Sequence, residues 1–225
     1  MVDAEALVGE LRSTFASGRT RSFDWRVSQL KAFIKILTYH EEEIVEALRS
    51  DLNKPQLEAV VHEIAPLLSA CTRSLKKLKQ WMKPQKVNTS LLTFPSSAKL
   101  MMEPLGVVLV ISTWNYPVLL SLEPVVGAIA AGNAVVLKPS EVAPATSSLL
   151  AKVVGQYVDN SAIKVIEGGA TETTALLEQK WDKIFYTGSS RIGRIVSTAA
   201  AKHLTPVLLE LGGKCPAVVD EDINL

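Results

Sequence analysis

The chain has 225 residues, of which 48% are hydrophobic, so it carries enough apolar material for a sizeable core in one or two domains. Its 24 basic and 23 acidic side chains give a formal net charge of +1, which excludes an overall field that would recruit nucleic acid or an anionic membrane. Its two cysteines, Cys71 and Cys215, exclude a disulfide framework and lack the C-x-x-C spacing of zinc or redox sites.

Residues 1–86 are predicted to form a helical N-terminal region. Apolar side chains recur at helical spacing from Glu5 to about Asn53, which predicts three amphipathic helices. The same spacing returns from Leu57 to Met82, with a break or kink at Pro66. The N-terminus is acidic, unlike a secretory signal or an Arg-rich transit peptide, so a cytoplasmic location is expected.

Three features of the chain suggest functions that their context argues against. His62-Glu63 begins like the zincin sequence H-E-x-x-H, but Pro66 stands where the second zinc ligand is needed, so no metal site is expected. The lysines of residues 76–86 alternate with apolar residues, which favours a basic face on a packed helix over a nucleic-acid site. The longest apolar tract, residues 105–137, is interrupted by Asn, Pro and Glu, so no membrane span is expected.

Residues 87–104 are polar and rich in turn formers, which predicts an arm or linker, and residues 105–225 then alternate short apolar runs with helical patterns. The predicted strands are Val107–Ser112, Ala134–Lys138, Ile163–Ile166, Lys183–Tyr186 and Val207–Leu211. The helices predicted between them are Val118–Ala131, Ala143–Tyr157, Thr171–Gln179 and Ser189–Lys202. Buried strands joined by helices indicate an α/β fold with a doubly wound parallel sheet, a Rossmann-like dinucleotide-binding region.

Ligands of such sheets bind at the carboxyl ends of the strands, where this sequence places unusual residues. Gly188-Ser-Ser-Arg-Ile-Gly193 lies at a strand-to-helix joint, where free backbone N–H groups and the helix dipole favour a phosphate. The pattern G-x-x-x-x-G also fits an ordinary tight turn, so both interpretations stay open. The candidate cofactor residues here are Gly188, Ser189, Ser190, Arg191, Ile192 and Gly193.

Other strand ends carry single polar residues with two interpretations each. Asn115 either hydrogen-bonds its own turn before Pro117 or serves as an oxyanion donor. Lys138 and Glu141, which flank Ser140, form either an exposed ion pair or a pair that binds ribose hydroxyls. Glu210 lies near the end of an apolar strand, so it is expected to be buried. Burial of an unpaired carboxylate raises its pKa toward the range that is useful for a general base.

Four motifs, in this order, resemble aldehyde dehydrogenases, most closely the class 3 branch and its plant members. They are Glu103-Pro-Leu-Gly-Val-Val-Leu-Val-Ile-Ser-Thr-Trp-Asn-Tyr-Pro117, Gly132-Asn-Ala-Val-Val-Leu-Lys-Pro-Ser-Glu141, Phe185-Tyr-Thr-Gly-Ser-Ser-Arg-Ile-Gly193 and Leu209-Glu-Leu-Gly-Gly-Lys214. The resemblance spans essentially the whole chain. It implies that Asn115 is the oxyanion donor and Glu210 the general base. It also implies that Lys138 and Glu141 bind the cofactor ribose, that Ser140 between them belongs to the cofactor site, and that Gly188, Ser189 and Gly193 form the cofactor-facing turn.

The resemblance implies oxidation of an aldehyde to a carboxylic acid, with NAD or NADP as cofactor, through a thiohemiacetal and a thioester on a cysteine. In this family that cysteine follows the Glu-Leu-Gly-Gly motif, so it is expected beyond Leu225. The chain is therefore expected to be the amino-terminal half of an enzyme whose catalytic domain is missing here, inactive alone and a homodimer at full length. Cys215 is not expected to replace the nucleophile, because the family usually has serine there.

Two alternatives stay open at this level. In the first, the chain is complete and is a catalytically dead module that binds a dinucleotide or dimerises. The second is an acylating or phosphate-linked relative, although such enzymes usually lack the general-base glutamate.

The cofactor preference also stays open. Glu141 favours NAD over NADP, since a 2′-phosphate would approach its carboxylate, but rotation of the side chain relieves that repulsion. Lacking a second domain, the sheet is expected to leave apolar surface uncovered.

Overall fold

A computed structural model describes residues 3–221 of the chain. The three predicted N-terminal helices are confirmed as α1 (Ala4–Ala16), α2 (Phe23–Tyr39) and α3 (Glu41–Leu52). Two of them begin at side chains that accept a backbone N–H: Asp3 accepts from Ala6, and Ser22 accepts from Trp25. None of the helices in the described residues is long and apolar enough to cross a membrane.

The helical pattern of residues 57–82 is confirmed, with an irregularity just before Pro66. It consists of α4 (Gln56–Ala59), a π-helical turn (Val60–Ile64) and α5 (Ala65–Trp81). Proline has no N–H to donate and its ring crowds the carbonyl one turn earlier, so a widened turn before Pro66 relieves the clash.

A two-stranded ribbon occupies most of the segment predicted as an arm, and it begins at Gln85, two residues before the predicted start of that arm. Strand β1 (Gln85–Val87) pairs antiparallel with β2 (Ala98–Leu100), and all six residues are exposed. The loop between the strands carries three highly exposed apolar side chains, Leu91, Leu92 and Phe94. The uncovered apolar surface predicted from the sequence was assigned to the sheet, whereas these three side chains lie on the ribbon loop.

The remaining residues form the predicted parallel sheet. Its strands are β3 (Val107–Ile111), β4 (Ala134–Lys138), β5 (Ile163–Val165), β6 (Lys183–Gly188) and β7 (Val207–Leu211). The helices between them are α6 (Leu119–Ala131), α7 (Pro144–Tyr157), α8 (Ala170–Leu177) and α9 (Ser190–Ala201). Every residue of β3 and β4 is buried, and since side chains alternate between faces, both faces of these strands are covered.

The strand order is β5-β4-β3-β6-β7, with all neighbours parallel, which confirms the doubly wound topology. From β3 the chain moves outward on one side through β4 and β5, and then returns to build β6 and β7 on the other side. The order reverses between β3 and β6, so their following loops diverge and leave a crevice at the carboxyl edge. The pairing of Gly188 with Leu211 extends β6 two residues beyond the predicted end.

Candidate functional site

Two cavities meet at the carboxyl edge of the sheet. The Lys138 groove, of about 470 Å³, lies between the ends of β3 and β4 and helices α8 and α9. The Asn115 cavity, of about 760 Å³, lies between the loop after β3, helix α6 and the end of β7. They share lining residues at the point where the strand order reverses: Thr113, Trp114, Thr187, Gly188 and Ser189.

The Lys138 groove contains most of the predicted cofactor residues. They are Lys138, Ser140, Glu141, Gly188, Ser189, Arg191 and Ile192. Ser140 is buried, and its hydroxyl accepts the Val142 N–H at 3.3 Å, so it also stabilises the turn after β4. The sheet thus brings together two sequence segments about 50 residues apart, as expected from parallel strands that end at one edge.

Lys138 and Glu141 form an ion pair with one buried and one exposed partner. Lys138 is 2% exposed, whereas the Glu141 side chain is 52% exposed, and Nζ lies 2.5 Å from Oε2. The interpretation as a freely exposed pair is therefore wrong for Lys138, which ends a buried strand. Partial burial raises the pKa of the Glu141 carboxyl, but the hydrogen bond from Lys138, together with a backbone hydrogen bond, lowers it below the ordinary value.

The glycine turn divides into residues that face the groove and residues that do not. A Cβ at Gly188 would lie 2.3 Å from Tyr186 Oη, so any other residue here would require the tyrosine or the turn to shift. The Ser189 hydroxyl accepts the Ile192 N–H at 3.4 Å and caps α9. Ser190 and Gly193 instead line a separate cleft with Leu209 and Leu211.

Gly193 has a packing role in this structure. A Cβ there would lie 3.1 Å from Leu211 Cδ2, so its absence lets α9 approach β7 closely. The cofactor contacts predicted for Ser190 and Gly193 therefore have no support from the shape of the groove, and the turn faces the groove through Gly188, Ser189, Arg191 and Ile192.

The Asn115 cavity joins the two predicted catalytic residues. Asn115 reaches it from the loop after β3, and Glu210 reaches it from β7. The expectation that Glu210 is buried is wrong for this chain: the residue is exposed. Strand β7 is an edge strand in the described sheet, and only its first three residues are partly covered.

The junction of the two cavities fits a polar ligand group. Thr187 lines both cavities, and its Oγ1 is buried without a hydrogen-bond partner among the described residues. Buried hydroxyls are normally paired, so this atom is suited to a ligand. A groove with a carboxylate for sugar hydroxyls, a helix N-terminus and this unpaired hydroxyl fits a dinucleotide.

Neither Cys71 nor Cys215 lines the two cavities. Cys71 is fully buried in the core, which raises the pKa of its thiol to about 12, so it is chemically inert in the folded protein. Cys215 is exposed and lines neither cavity. No group of three potential metal ligands lies together in residues 3–221.

Sequence reasoning missed two residues behind Asn115. Lys54 and Glu63 form a buried ion pair, and Lys54 also hydrogen-bonds the Asn115 carbonyl. A signal for Glu63 was present: it lies four residues after Ala59 and four before Leu67, both fully buried, so it falls on the apolar stripe of its helix.

Comparison with known proteins identifies the family. A sequence model described as "Aldehyde dehydrogenase family" matches residues 2–225. The chain is 67% identical to an aldehyde dehydrogenase of Craterostigma plantagineum, covering 100% of this chain and 47% of that protein. It is 63% identical to aldehyde dehydrogenase family 3 member I1, chloroplastic, of Arabidopsis thaliana, covering 99% of this chain and 40% of that protein.

Solved structures agree with the sequence matches. The substrate-bound state of Staphylococcus aureus AldH superimposes with a TM-score of 0.93 at 40% identity, covering 98% of this chain and 48% of that one. The P. syringae indole-3-acetaldehyde dehydrogenase AldA, in complex with NAD+ and IAA, gives a TM-score of 0.81 at 27% identity, covering 95% and 44%. The chain spans about half the length of these relatives. On the family match over residues 2–225 and on the fold it shares with these enzymes, the chain belongs to the aldehyde dehydrogenase family.

Proposed function

We propose that these 225 residues form the cofactor-binding half of an enzyme that oxidises aldehydes to carboxylic acids with NAD or NADP. The observation that carries the proposal is the continuity of the Lys138 groove with the Asn115 cavity through Thr187, Gly188 and Ser189. A dinucleotide in the groove would reach the cavity in which an aldehyde faces Asn115 and Glu210. Bound NAD or NADP supplies the hydride acceptor of the reaction.

The chain's own residues have distinct roles in this proposal. Glu141, held by Lys138, accepts hydrogen bonds from ribose hydroxyls, and the N-terminus of α9 faces the phosphates. The Asn115 amide donates to the aldehyde oxygen as that oxygen gains negative charge. Glu210 takes a proton from the water that hydrolyses the thioester. The nucleophile is a cysteine outside these 225 residues, since neither Cys71 nor Cys215 lines the cavity.

The first experiment is the intact mass of the native protein, combined with an assay of NAD and NADP reduction by aliphatic and aromatic aldehydes. A mass far above 24.4 kDa with aldehyde-dependent reduction is the expected result. A native protein of this mass, inactive with every aldehyde, would overturn the proposed oxidation. Parallel titrations also decide the cofactor, and we propose NAD because a 2′-phosphate would approach the Glu141 carboxylate.

The second candidate function is a dinucleotide-binding module without catalysis. It is favoured by one observation, that within residues 3–221 a formed cofactor groove adjoins a cavity lined by no cysteine. Calorimetry of the 225-residue chain distinguishes the cases, because a well-folded chain that binds neither NAD nor NADP cannot be such a module.

We also propose that the full-length protein is a cytoplasmic homodimer. Support for the dimer comes from the ribbon loop, whose exposed Leu91, Leu92 and Phe94 offer apolar surface to a second copy. Sedimentation of the native protein tests the dimer, and a Leu92→Ser variant should shift it toward monomer. Cell fractionation tests the location, and recovery in an organelle would exclude it.

A further inference from the structure

A buried ion pair lies behind the loop that carries Asn115. Lys54 Nζ is 2.6 Å from Glu63 Oε1, and the two residues are only 7% and 0% exposed. Burial of two charges is costly unless their remaining hydrogen-bonding capacity is also used. Both residues use that capacity on the backbone between β3 and α6.

Lys54 contacts the Asn115 side of this loop. Its ammonium donates to the Asn115 carbonyl oxygen at 3.2 Å and lies 4.1 Å from the centroid of the Tyr116 ring. Lys54 follows Asn53, the residue that ends α3 and turns the chain. Asn53 has a left-handed φ of 52°, a conformation that asparagine tolerates better than most residues. Lys54 thus holds both the backbone of Asn115, the candidate oxyanion donor, and the ring of the next residue, Tyr116.

Glu63 contacts the helix side of the loop. Its Oε2 accepts the N–H groups of Val118 at 2.8 Å and Leu119 at 3.2 Å, where α6 begins. Val118 has no side chain that could cap the helix, so a carboxylate from 55 residues earlier performs this task. Glu63 lies in the π-helical turn Val60–Ile64, an irregularity that is frequent at functional sites.

We propose that Lys54 and Glu63 are positioning residues that hold the Asn115 amide where it stabilises negative charge, an inference that rests on the proposed aldehyde oxidation. Asn115 is exposed on a loop without regular structure, yet an oxyanion donor must be fixed before the charge develops. The ion pair fixes this loop at the Asn115 carbonyl and again at the start of α6. A buried ion pair alone seldom stabilises a fold more than apolar residues do, which leaves positioning as its role.

The test compares variants of the full-length native protein. Lys54→Met with Glu63→Gln removes both charges together, so neither is left buried and unpaired. We expect kcat to fall on the order of 10- to 100-fold, because small misplacements of catalytic groups have effects of this size, while the Kd for NAD stays within about twofold. Asp159→Asn is the matched control, since it also neutralises a carboxylate with several partners, but those partners are Arg19, Trp25 and Ser161 rather than the loop that carries Asn115.

A double-mutant cycle identifies the route of the effect. On an Asn115→Ala background the paired substitution should change kcat by less than about twofold, because the group that it positions is gone. An equal fall on both backgrounds, or an equal fall in Asp159→Asn, would overturn the positioning role.

Amide hydrogen exchange of the segment 112–119 provides a readout that does not depend on activity. Exchange should become faster in the paired variant and stay unchanged in Asp159→Asn, even if the protein oxidises no aldehyde. Unchanged exchange in the paired variant would refute the positioning of the loop. A wild-type protein that is inactive with every aldehyde would refute the proposed function instead, so the two failures are distinguishable.

Discussion

Lys138 reaches out of a fully buried strand to place its ammonium 2.5 Å from the carboxylate of Glu141, which stands half in solvent at the mouth of the groove. The arrangement holds a carboxylate charged and oriented toward the groove without burying it.

Lys138→Met should weaken NAD binding by about 10- to 100-fold, the range expected when hydrogen bonds to a charged group are lost. The physical reason is that Glu141 loses the cation that orients it. Calorimetric titration of the full-length protein measures the change. Lys152→Met is the control, because Lys152 makes a similar contact with Glu43 outside both cavities. Equal Kd values for the two variants would contradict the role of Lys138.

Glu210→Gln should abolish steady-state aldehyde oxidation in the full-length protein while leaving cofactor binding intact. A glutamine amide cannot take the proton from the hydrolytic water, so the reaction stops after a single turnover. A burst of reduced cofactor without further turnover is the expected trace. Glu178→Gln, an exposed carboxylate that pairs with Lys202, should retain the wild-type rate. Wild-type turnover in Glu210→Gln would exclude this residue as the general base.

Asp159→Asn should destabilise the fold at neutral pH by about 1–2 kcal/mol, since a charged hydrogen-bond acceptor is lost. Partial burial raises the pKa of the Asp159 carboxyl, but hydrogen bonds from Ser161 and Trp25 and the charge of Arg19 lower it below its ordinary value of 3.8. Because the folded-state pKa is depressed, the stabilisation is present above pH 3.8 and is lost as the pH falls through the folded value.

Urea unfolding of wild type and Asp159→Asn across this pH range measures the effect. The difference in unfolding free energy should be constant near neutrality and shrink below pH 3.8. A difference that does not depend on pH would show that the carboxylate contributes through shape alone.

Gly188→Ala should lower both thermal stability and NAD affinity, because a Cβ would lie 2.3 Å from Tyr186 Oη and move the tyrosine or the turn. Gly9→Ala is the matched control: this helical glycine has nothing within 4 Å of the added carbon. The control should gain about 0.5–1 kcal/mol from helix propensity. Unchanged NAD affinity in Gly188→Ala would remove this turn from the cofactor site.

Cys71 should resist alkylation in the native protein and react only after unfolding, whereas Cys215 should react at once. Burial both blocks access to the Cys71 thiol and raises its pKa to about 12, so almost no thiolate forms near neutral pH. Peptide mass mapping after iodoacetamide treatment identifies each site. Rapid labelling of Cys71 under native conditions would show that the helical region opens locally.

The sequence by itself determined the α/β class, the five strands and the order of the helices. These follow from short-range patterns, namely the apolar periods and the turn residues between them. It also determined that Asn115, Lys138 and Glu141 gather at one edge, because parallel strands share the direction of their carboxyl ends. Four motifs in the expected order were enough to predict that the chain belongs to the aldehyde dehydrogenase family, and the family match over residues 2–225 confirmed it.

Only the tertiary structure decided which of these side chains are buried and which contacts they make. Glu210 is exposed because its strand lies at the edge of the described sheet, and Gly193 serves helix packing because α9 lies directly on β7. Lys54 and Glu63 meet the Asn115 loop through contacts that span 61 and 55 residues. Local patterns encode periodicity and turns, whereas the partner of a buried charge depends on which distant segments the fold brings together.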